Sequence, residues 1–239
     1  MSNNKTNELV IADATIEALD KAAAAGLLAQ NQASQFRRMA MVAGSIQTLR
    51  NILTPEVMRP ILELQNNPIG FLTDNPNGYN MDTVRDCLIE ATLSGVFPVG
   101  NEFNIISGRC YITKAGFFHK LRDFPNFTWI ETPDVPQLNR ENTGAMVKVN
   151  LEWTLNKNKF ERTLNLAIRV NRGMGPDAII GKAIRKARAW LWTTITGQEV
   201  PEGESSDAVV VDAEVVKGSP FESKPETPAA AELKDELPM

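Results

Sequence analysis

The sequence predicts an α+β fold, in which N-terminal helices pack with a small antiparallel sheet that includes a long β-hairpin, and a basic C-terminal helix follows. Two observations lead to this prediction. Apolar residues recur at helical spacing as far as Gly95, whereas beyond Pro98 they alternate with a period of two. The clearest alternation covers residues 145–170 and is interrupted by one polar turn, which is typical of a hairpin.

Three helices are predicted before Pro98. The first covers residues 34–53, where the apolar residues at helical spacing are Phe36, Met39, Ala43, Ile46 and Leu53. Thr54-Pro55-Glu56 opens a short second helix with a cap, a proline at the first helical position and an early acid. A third helix begins at Met81 and is expected to end at Gly95. Residues 1–30 precede them as a flexible segment, in which the Ala-rich stretch predicts a weak, frayed helix.

The remaining elements are short strands, the hairpin and two helices. Strands are predicted at 103–106, 110–112 and 127–131, with a small helix at 115–122 between the second and third. The hairpin turns at Asn156-Lys157-Asn158, and its core positions are Val147, Val149, Leu151, Trp153, Leu155, Phe160, Leu164, Leu166, Ile168 and Val170. The last predicted helix covers residues 177–196.

Charge is distributed unevenly along the chain. The net charge is −4, yet residues 31–198 carry 20 Lys and Arg against 14 Asp and Glu, while residues 199–239 carry 3 against 11. We therefore expect a single core at 31–200 that attracts a polyanion, and a disordered acidic tail at 201–239. The tail is expected to tether partner proteins or to compete for the basic surface. Its apolar string at 209–216 is long enough to add as a strand to a partner's sheet edge.

Composition excludes several classes of site. No run of 18 apolar residues is present, and the N-terminus lacks the pattern of a signal peptide, so a cytoplasmic protein without a membrane span is expected. Cys87 and Cys110 are expected to be buried reduced thiols. With one histidine and two distant cysteines, the chain has no zinc ligand set, and we predict neither a metal nor a cofactor.

The C-terminal helix is the first candidate site. At 100° per residue, one stripe contains Ile180, Ile184, Ala187, Leu191 and Ile195. The opposite side contains Lys182, Arg185, Lys186, Ala189 and Trp192. Cationic groups beside an exposed indole suit a single strand, because they neutralise phosphates while the ring stacks on bases. The alternative is an ordinary solvated helix face.

A second basic cluster lies upstream. Its cations are Arg109, Lys114, Lys120 and Arg122, and the aromatic residues between them are Tyr111, Phe117, Phe118 and His119. The alternative for these rings is core packing. Arg169 on the hairpin and Arg188 on the last helix complete the set of predicted DNA-binding cations, and Tyr111 is the second candidate for base stacking.

Catalysis has little support in the sequence. Residues 175–182 read GPDAIIGK, which is near a phosphate-binding loop, but five residues separate the glycines where the motif has four, and Ala183 stands at the magnesium-binding position. The acidic pairs, such as Asp82 with Asp86, have no nuclease spacing. We predict no catalytic residues, and a nuclease or nucleotide-dependent enzyme is the hypothesis with the weakest support.

Three stretches of the core resemble the single-strand annealing recombinases of bacteriophages, the RecT and Redβ superfamily. The segment 87–98, CLIEATLSGVFP, is similar to the family's helix that ends in a small residue, Gly, an aliphatic residue, any residue and Pro. Ile112 and Gly116 resemble its strand-to-helix turn, although Thr113, Lys114 and Ala115 replace Gly-Tyr-Arg. Residues 182–186, KAIRK, look like its Lys-rich helix before an acidic tail. The short tail makes the resemblance closer to RecT than to Redβ.

The resemblance implies a function that composition and periodicity do not. Such proteins coat single-stranded DNA and anneal complementary strands without ATP during phage homologous recombination. They assemble as homo-oligomeric rings or helical filaments and work with a partner exonuclease, and a host single-strand-binding protein is a further expected partner. The alternative for this chain is a non-enzymatic phage interaction or assembly protein, whose basic surface meets another protein.

Overall fold

A computed structural model describes residues 11–29, 32 and 34–198 of the chain. The predicted acidic tail and the first ten residues lie outside the described residues. In chain order the elements are α1 (Asp13–Leu28), α2 (Gln35–Ile52), α3 (Pro55–Leu62), α4 (Met81–Leu93), β1 (Phe103–Ile106), β2 (Arg109–Ile112), α5 (Lys114–Arg122), β3 (Phe127–Pro133), β4 (Gln137–Leu138), β5 (Gly144–Leu155), β6 (Asn158–Arg169) and α6 (Pro176–Thr196). The predicted α+β class, with helices first and antiparallel sheets after them, is confirmed.

Helix α1 belongs to the packed helices. Ala22 and Ala29 are buried, and a Cβ built on Gly26 would lie 2.4 Å from Cδ2 of Leu93 on α4. Only glycine permits this close approach of α1 to α4. The predicted boundary at residue 30 therefore does not separate α1 from the fold, and residues 11–29 are part of the same core. No described helix is both long enough and apolar enough to cross a lipid bilayer.

Local capping explains where the helices begin. The Ser34 side chain accepts a hydrogen bond from the Arg37 amide at the start of α2, and the Asn80 side chain accepts one from the Thr83 amide at the start of α4. Gly95 has a φ of 77°, which ends α4 as predicted. These caps direct the chain into the β1–β2 hairpin, which packs on α4.

The larger sheet has four strands with β5 at its centre. β6 pairs with one side of β5, from Gly144 opposite Arg169 to Leu155 opposite Asn158, while β3 and β4 share the other side. Asn156 and Lys157 both have positive φ, at 49° and 71°, which matches the right-handed twist of a two-residue hairpin. The predicted hairpin is confirmed, with its turn one residue shorter than expected.

The two faces of this sheet differ. One face is apolar, because Val147, Val149 and Leu151 of β5 and Leu164 and Ile168 of β6 are all buried. Helix α6 packs on this face, and α5 packs against α6. Helix α6 is therefore contacted on two sides, by the sheet and by the α5–β2 layer.

Candidate nucleic-acid interface

Two lysines of α6 lie over the end of strand β6. Lys182 Nζ donates to the carbonyl oxygen of Arg169 at 3.3 Å, and Lys186 Nζ donates to that of Ala167 at 3.0 Å. Both acceptors are backbone oxygens at the end of β6. Two positive charges are thus held one helical turn apart.

Two further cations lie at the same end of α6. Lys114, the first residue of α5, is exposed, and a Cβ built on Gly181 of α6 would lie 3.6 Å from its Nζ. Arg169, the last residue of β6, is exposed as well; its carbonyl accepts from Lys182, while its side chain lies on the open face of the sheet, because it alternates with the buried Ile168. In the described part of the chain, neither Lys114 nor Arg169 forms an ion pair. We call Lys114, Arg169, Lys182 and Lys186 the cationic strip.

Tyr111 and Arg109, two further predicted site residues, lie on strand β2. The Tyr111 ring is half-buried, and the guanidinium of Arg185 covers it at 4.0 Å from the ring centroid. Arg109 is exposed, and it lies on the same face of β2 because it is two residues away. One face of the tyrosine is therefore already occupied by a protein cation.

Arg185 itself is an interior residue. Only 5% of it is exposed, its Nε donates to the Ile112 carbonyl at 3.0 Å, and its guanidinium lies 5.6 Å from the centroid of Phe117. The sequence prediction that this residue lies on a solvent-facing side of the helix is wrong. Helix α5 and strand β2 cover that side, and their carbonyl and rings replace water around the charge.

Arg188 is also turned inward. Its guanidinium forms a bidentate ion pair with Glu131 of β3, in which both side chains are only 13% exposed, and Nη1 donates to the Lys114 carbonyl at 2.6 Å. The carboxylate neutralises the guanidinium, so Arg188 adds no net charge to the surface. The pair instead ties α6 to β3 and to the start of α5.

Lys120 and Trp192 form a third interior contact. Lys120 Nζ donates to the Ser94 carbonyl and lies 4.2 Å from the centroid of Trp192, and burial lowers the pKa of Lys120 to about 8. Trp192 is 9% exposed and meets Phe124 edge-on at 5.8 Å. Because its ring is enclosed, the predicted stacking of Trp192 on a base does not fit this structure. Arg122 is exposed and paired with Asp123 at 2.7 Å.

The structure therefore divides the predicted DNA-binding residues into two groups. The cations that reach the surface near the N-terminal half of α6 are Lys114, Lys182 and Lys186, with Arg169 at the adjoining end of β6; Arg109 is exposed on β2. The residues enclosed or paired within the fold are Lys120, Arg185, Arg188 and Trp192, with Tyr111 half-buried and Arg122 paired at the surface.

A cluster around His119 was missed by the sequence analysis, which named this residue only among the aromatic residues of the second basic cluster. The imidazole is 8% exposed; its Nδ1 lies 2.8 Å from Glu102 Oε2, and its Nε2 lies 2.8 Å from Asp123 Oδ2. The Phe97 ring packs on it with centroids 4.0 Å apart. The four-residue spacing of His119 and Asp123 on a helix was the available signal. Glu102 comes from outside that helix, and no sequence pattern pointed to it.

Neither a metal centre nor a phosphate loop is found in the described residues. Across residues 11–29, 32 and 34–198, no three His, Cys, Asp or Glu side chains converge to hold an ion. The segment that resembles a phosphate-binding loop is helical from Pro176 onward, with Gly175 as its N-cap, so its amides are used within α6. Cys87 and Cys110 are buried free thiols, as predicted, and burial raises the pKa of Cys87 to about 12.

Comparisons of the chain with models of protein families, with curated proteins and with solved structures found no match.

Proposed function

We propose that this protein binds single-stranded DNA and anneals complementary strands without ATP, as a cytoplasmic protein of phage homologous recombination that makes and breaks no covalent bond. The observation that carries the proposal is the cationic strip. Three positive charges from α5 and α6 lie at one end of α6, Arg169 adds a fourth on the open face at the adjoining end of β6, and the ion pairs of the described residues do not involve Lys114 or Arg169. The resemblance to RecT supports annealing as the outcome of that binding.

The geometry favours contacts with phosphates over contacts with bases. Lys182 and Lys186 follow the edge of β6, and Lys114 extends the row past Gly181. The most enclosed aromatic candidate, Trp192, packs inside the protein. A strand held through its backbone keeps its bases available for pairing, which annealing requires.

Salt dependence tests the electrostatic part of this proposal. If the four cations of the strip each neutralise one phosphate, the slope of log K against log salt is about −2.8, at about −0.7 per phosphate for single strands. Replacing Lys114 and Arg169 with Ala removes two of them and should reduce the slope to about −1.4. Binding of a labelled oligonucleotide, titrated at several salt concentrations, measures both values.

A matched control is Arg59→Ala, because Arg59 is an exposed cation on α3 and lies outside the strip. We expect this variant to retain the salt slope of the unmodified protein. A slope that is equally shallow in Arg59→Ala, or affinity that does not respond to salt in any variant, contradicts binding at the strip.

The proposed partners follow from the same resemblance. They are a partner exonuclease that exposes the single strand, a host single-strand-binding protein, and further copies of this chain in a ring or helical filament. Sedimentation of the protein with and without an oligonucleotide tests the last of these directly.

A specific observation favours the second candidate, a non-enzymatic phage interaction or assembly protein. An apolar cavity of about 720 Å³ lies between α1 and the segment after α4, and Ile16, Phe97 and Val99 at its rim are 44%, 54% and 46% exposed. Exposed apolar surface of this kind is typical of a protein-binding site. Mixing the protein with labelled single strands separates the candidates, because only the leading proposal predicts complex formation.

A further inference from the structure

Strand β6 forms an edge of the larger sheet. It pairs with β5 along its 12 residues, and no other described strand pairs with it. An uncovered edge of this length presents a row of backbone donors and acceptors to another strand, and proteins usually cover such edges. A further segment is therefore expected to cover the free edge of β6.

The direction of each β6 backbone group follows from the pairing. Val170 donates to the Thr143 carbonyl at 2.9 Å, and in an antiparallel pair every second residue directs both its N–H and its C=O to the partner strand. The even-numbered residues of β6 therefore face β5, and the odd-numbered residues face outward. The contacts of Lys182 and Lys186 agree with this alternation, because both use outward carbonyls of odd-numbered residues, Arg169 and Ala167.

The lysines occupy one end of the edge only. From Asn158 to Leu166, nine residues of β6 remain beside them, including the outward-facing Glu161, Thr163 and Asn165. No backbone hydrogen bond of the described residues reaches the outward groups of these three. This stretch accepts a strand of about nine residues.

One segment of this chain has the matching length and pattern. Residues 208–216, AVVVDAEVV, also number nine and consist of apolar residues and two acids. In an extended strand, one face would carry Val209, Val211, Ala213 and Val215, while Asp212 and Glu214 would share the other face with Ala208, Val210 and Val216. Beside β6, the apolar face fits the side of the sheet that α6 covers, where Trp190 is partly buried against the core. The acidic face fits the open side, which carries Lys148, Lys159 and Arg169 against Glu152 and Glu161.

The chain also leaves α6 close enough to reach the edge. The Trp190 ring lies 5.4 Å from the guanidinium of Arg162 on β6, and the described chain ends eight residues later at Gln198. Nine residues, 199–207, then connect Gln198 to the apolar segment. An extended linker of that length reaches about 30 Å, whereas two helical turns cover about 11 Å.

We propose that residues 208–216 of the same chain add to β6 as a further strand of the sheet. The strand covers the outward backbone groups of residues 158–166 and stops before the carbonyls that Lys182 and Lys186 contact. This inference does not depend on DNA binding.

Amide hydrogen exchange at residue resolution, on the full chain without DNA, tests it. The variant carries Val210→Pro together with Val211→Pro, because one of two adjacent amides must face β6 and proline has no N–H. In the unmodified protein, the outward amides of Glu161, Thr163 and Asn165 should exchange slowly; in the variant they should exchange at least about tenfold faster. The inward amides of Leu164 and Leu166 should not change.

The control carries Ala229→Pro with Ala230→Pro, which places the same two prolines elsewhere in the acidic stretch and should leave all β6 amides protected. Fast exchange of the outward amides in the unmodified protein overturns the proposal. So does protection that persists in the Val210→Pro, Val211→Pro variant. A further sample mixes the isotope-labelled Val210→Pro, Val211→Pro variant with an excess of the unlabelled, unmodified protein. The outward β6 amides of the labelled variant should still exchange fast, because slow exchange in this mixture would mean that another copy supplies the strand.

Discussion

Replacing Arg185 with alanine should destabilise the fold, because this arginine is an interior residue. The substitution removes a charge-assisted hydrogen bond to Ile112, at 3.0 Å, and contacts with the rings of Tyr111 and Phe117, at 4.0 and 5.6 Å. A hydrogen bond to a charged group contributes about 1.5 to 3 kcal/mol, and a desolvated cation–π contact about 2 kcal/mol. Because burying the guanidinium has its own desolvation cost, the contributions do not add in full, and we expect a net loss of about 3 kcal/mol.

Urea denaturation followed by far-UV circular dichroism measures this loss. The matched control is Lys182→Ala, one turn earlier on the same helix. Because this ammonium is only partly buried, its removal should lower the free energy of unfolding by about 0.5 kcal/mol or less. Equal unfolding free energies for Arg185→Ala and the unmodified protein would refute the assignment of Arg185 to the interior. A weakened affinity for DNA in Arg185→Ala is interpretable only after this measurement.

Three other predictions follow from the same contacts. Glu131→Ala leaves Arg188 enclosed without its carboxylate partner. The free energy of unfolding, measured by urea denaturation, should fall by about 3 to 5 kcal/mol, and a fall of less than about 1 kcal/mol would contradict a buried pair. Because the folded state lowers the pKa of Lys120 to about 8 from an ordinary value of 10.5, the unfolded state binds more protons between these values. The stability of the protein relative to Lys120→Met should therefore rise from pH 8 to pH 10.5, and a flat difference would show that the amine is solvated. Cys87 should react with a thiol reagent at neutral pH only at the rate of unfolding, because burial raises its pKa to about 12; rapid reaction in the native state would contradict this.

The sequence predicted the sheet better than it predicted the site. The β5–β6 hairpin could be predicted because one face of each strand is buried, so alternation in the sequence reports directly on the structure. Helix α6 could be located for a similar reason, since its caps and spacing are local. The orientation of α6 could not be predicted, because a helical projection allows for one buried side. Helix α6 is contacted by the sheet and by α5, and its Arg185 also contacts Ile112 and Tyr111 of β2.

The partners of the misplaced residues explain the rest. Arg185 is held by Ile112, 73 positions away, and Arg188 by Glu131, 57 positions away. No local pattern contains such pairs. The cations that the sequence placed correctly at the surface, Lys114 and Arg169, occur at the ends of elements, where side chains extend past the packed layers.

The central claim is that the cationic strip binds a single strand and allows it to pair. The most direct measurement is the rate at which complementary oligonucleotides pair with and without the protein, in the absence of ATP and at a protein concentration that saturates the strands. We predict acceleration by the unmodified protein and by Arg59→Ala, and its loss in the variant with Lys114→Ala and Arg169→Ala. A pairing rate that the protein leaves unchanged, or acceleration that survives loss of both cations, would contradict the account.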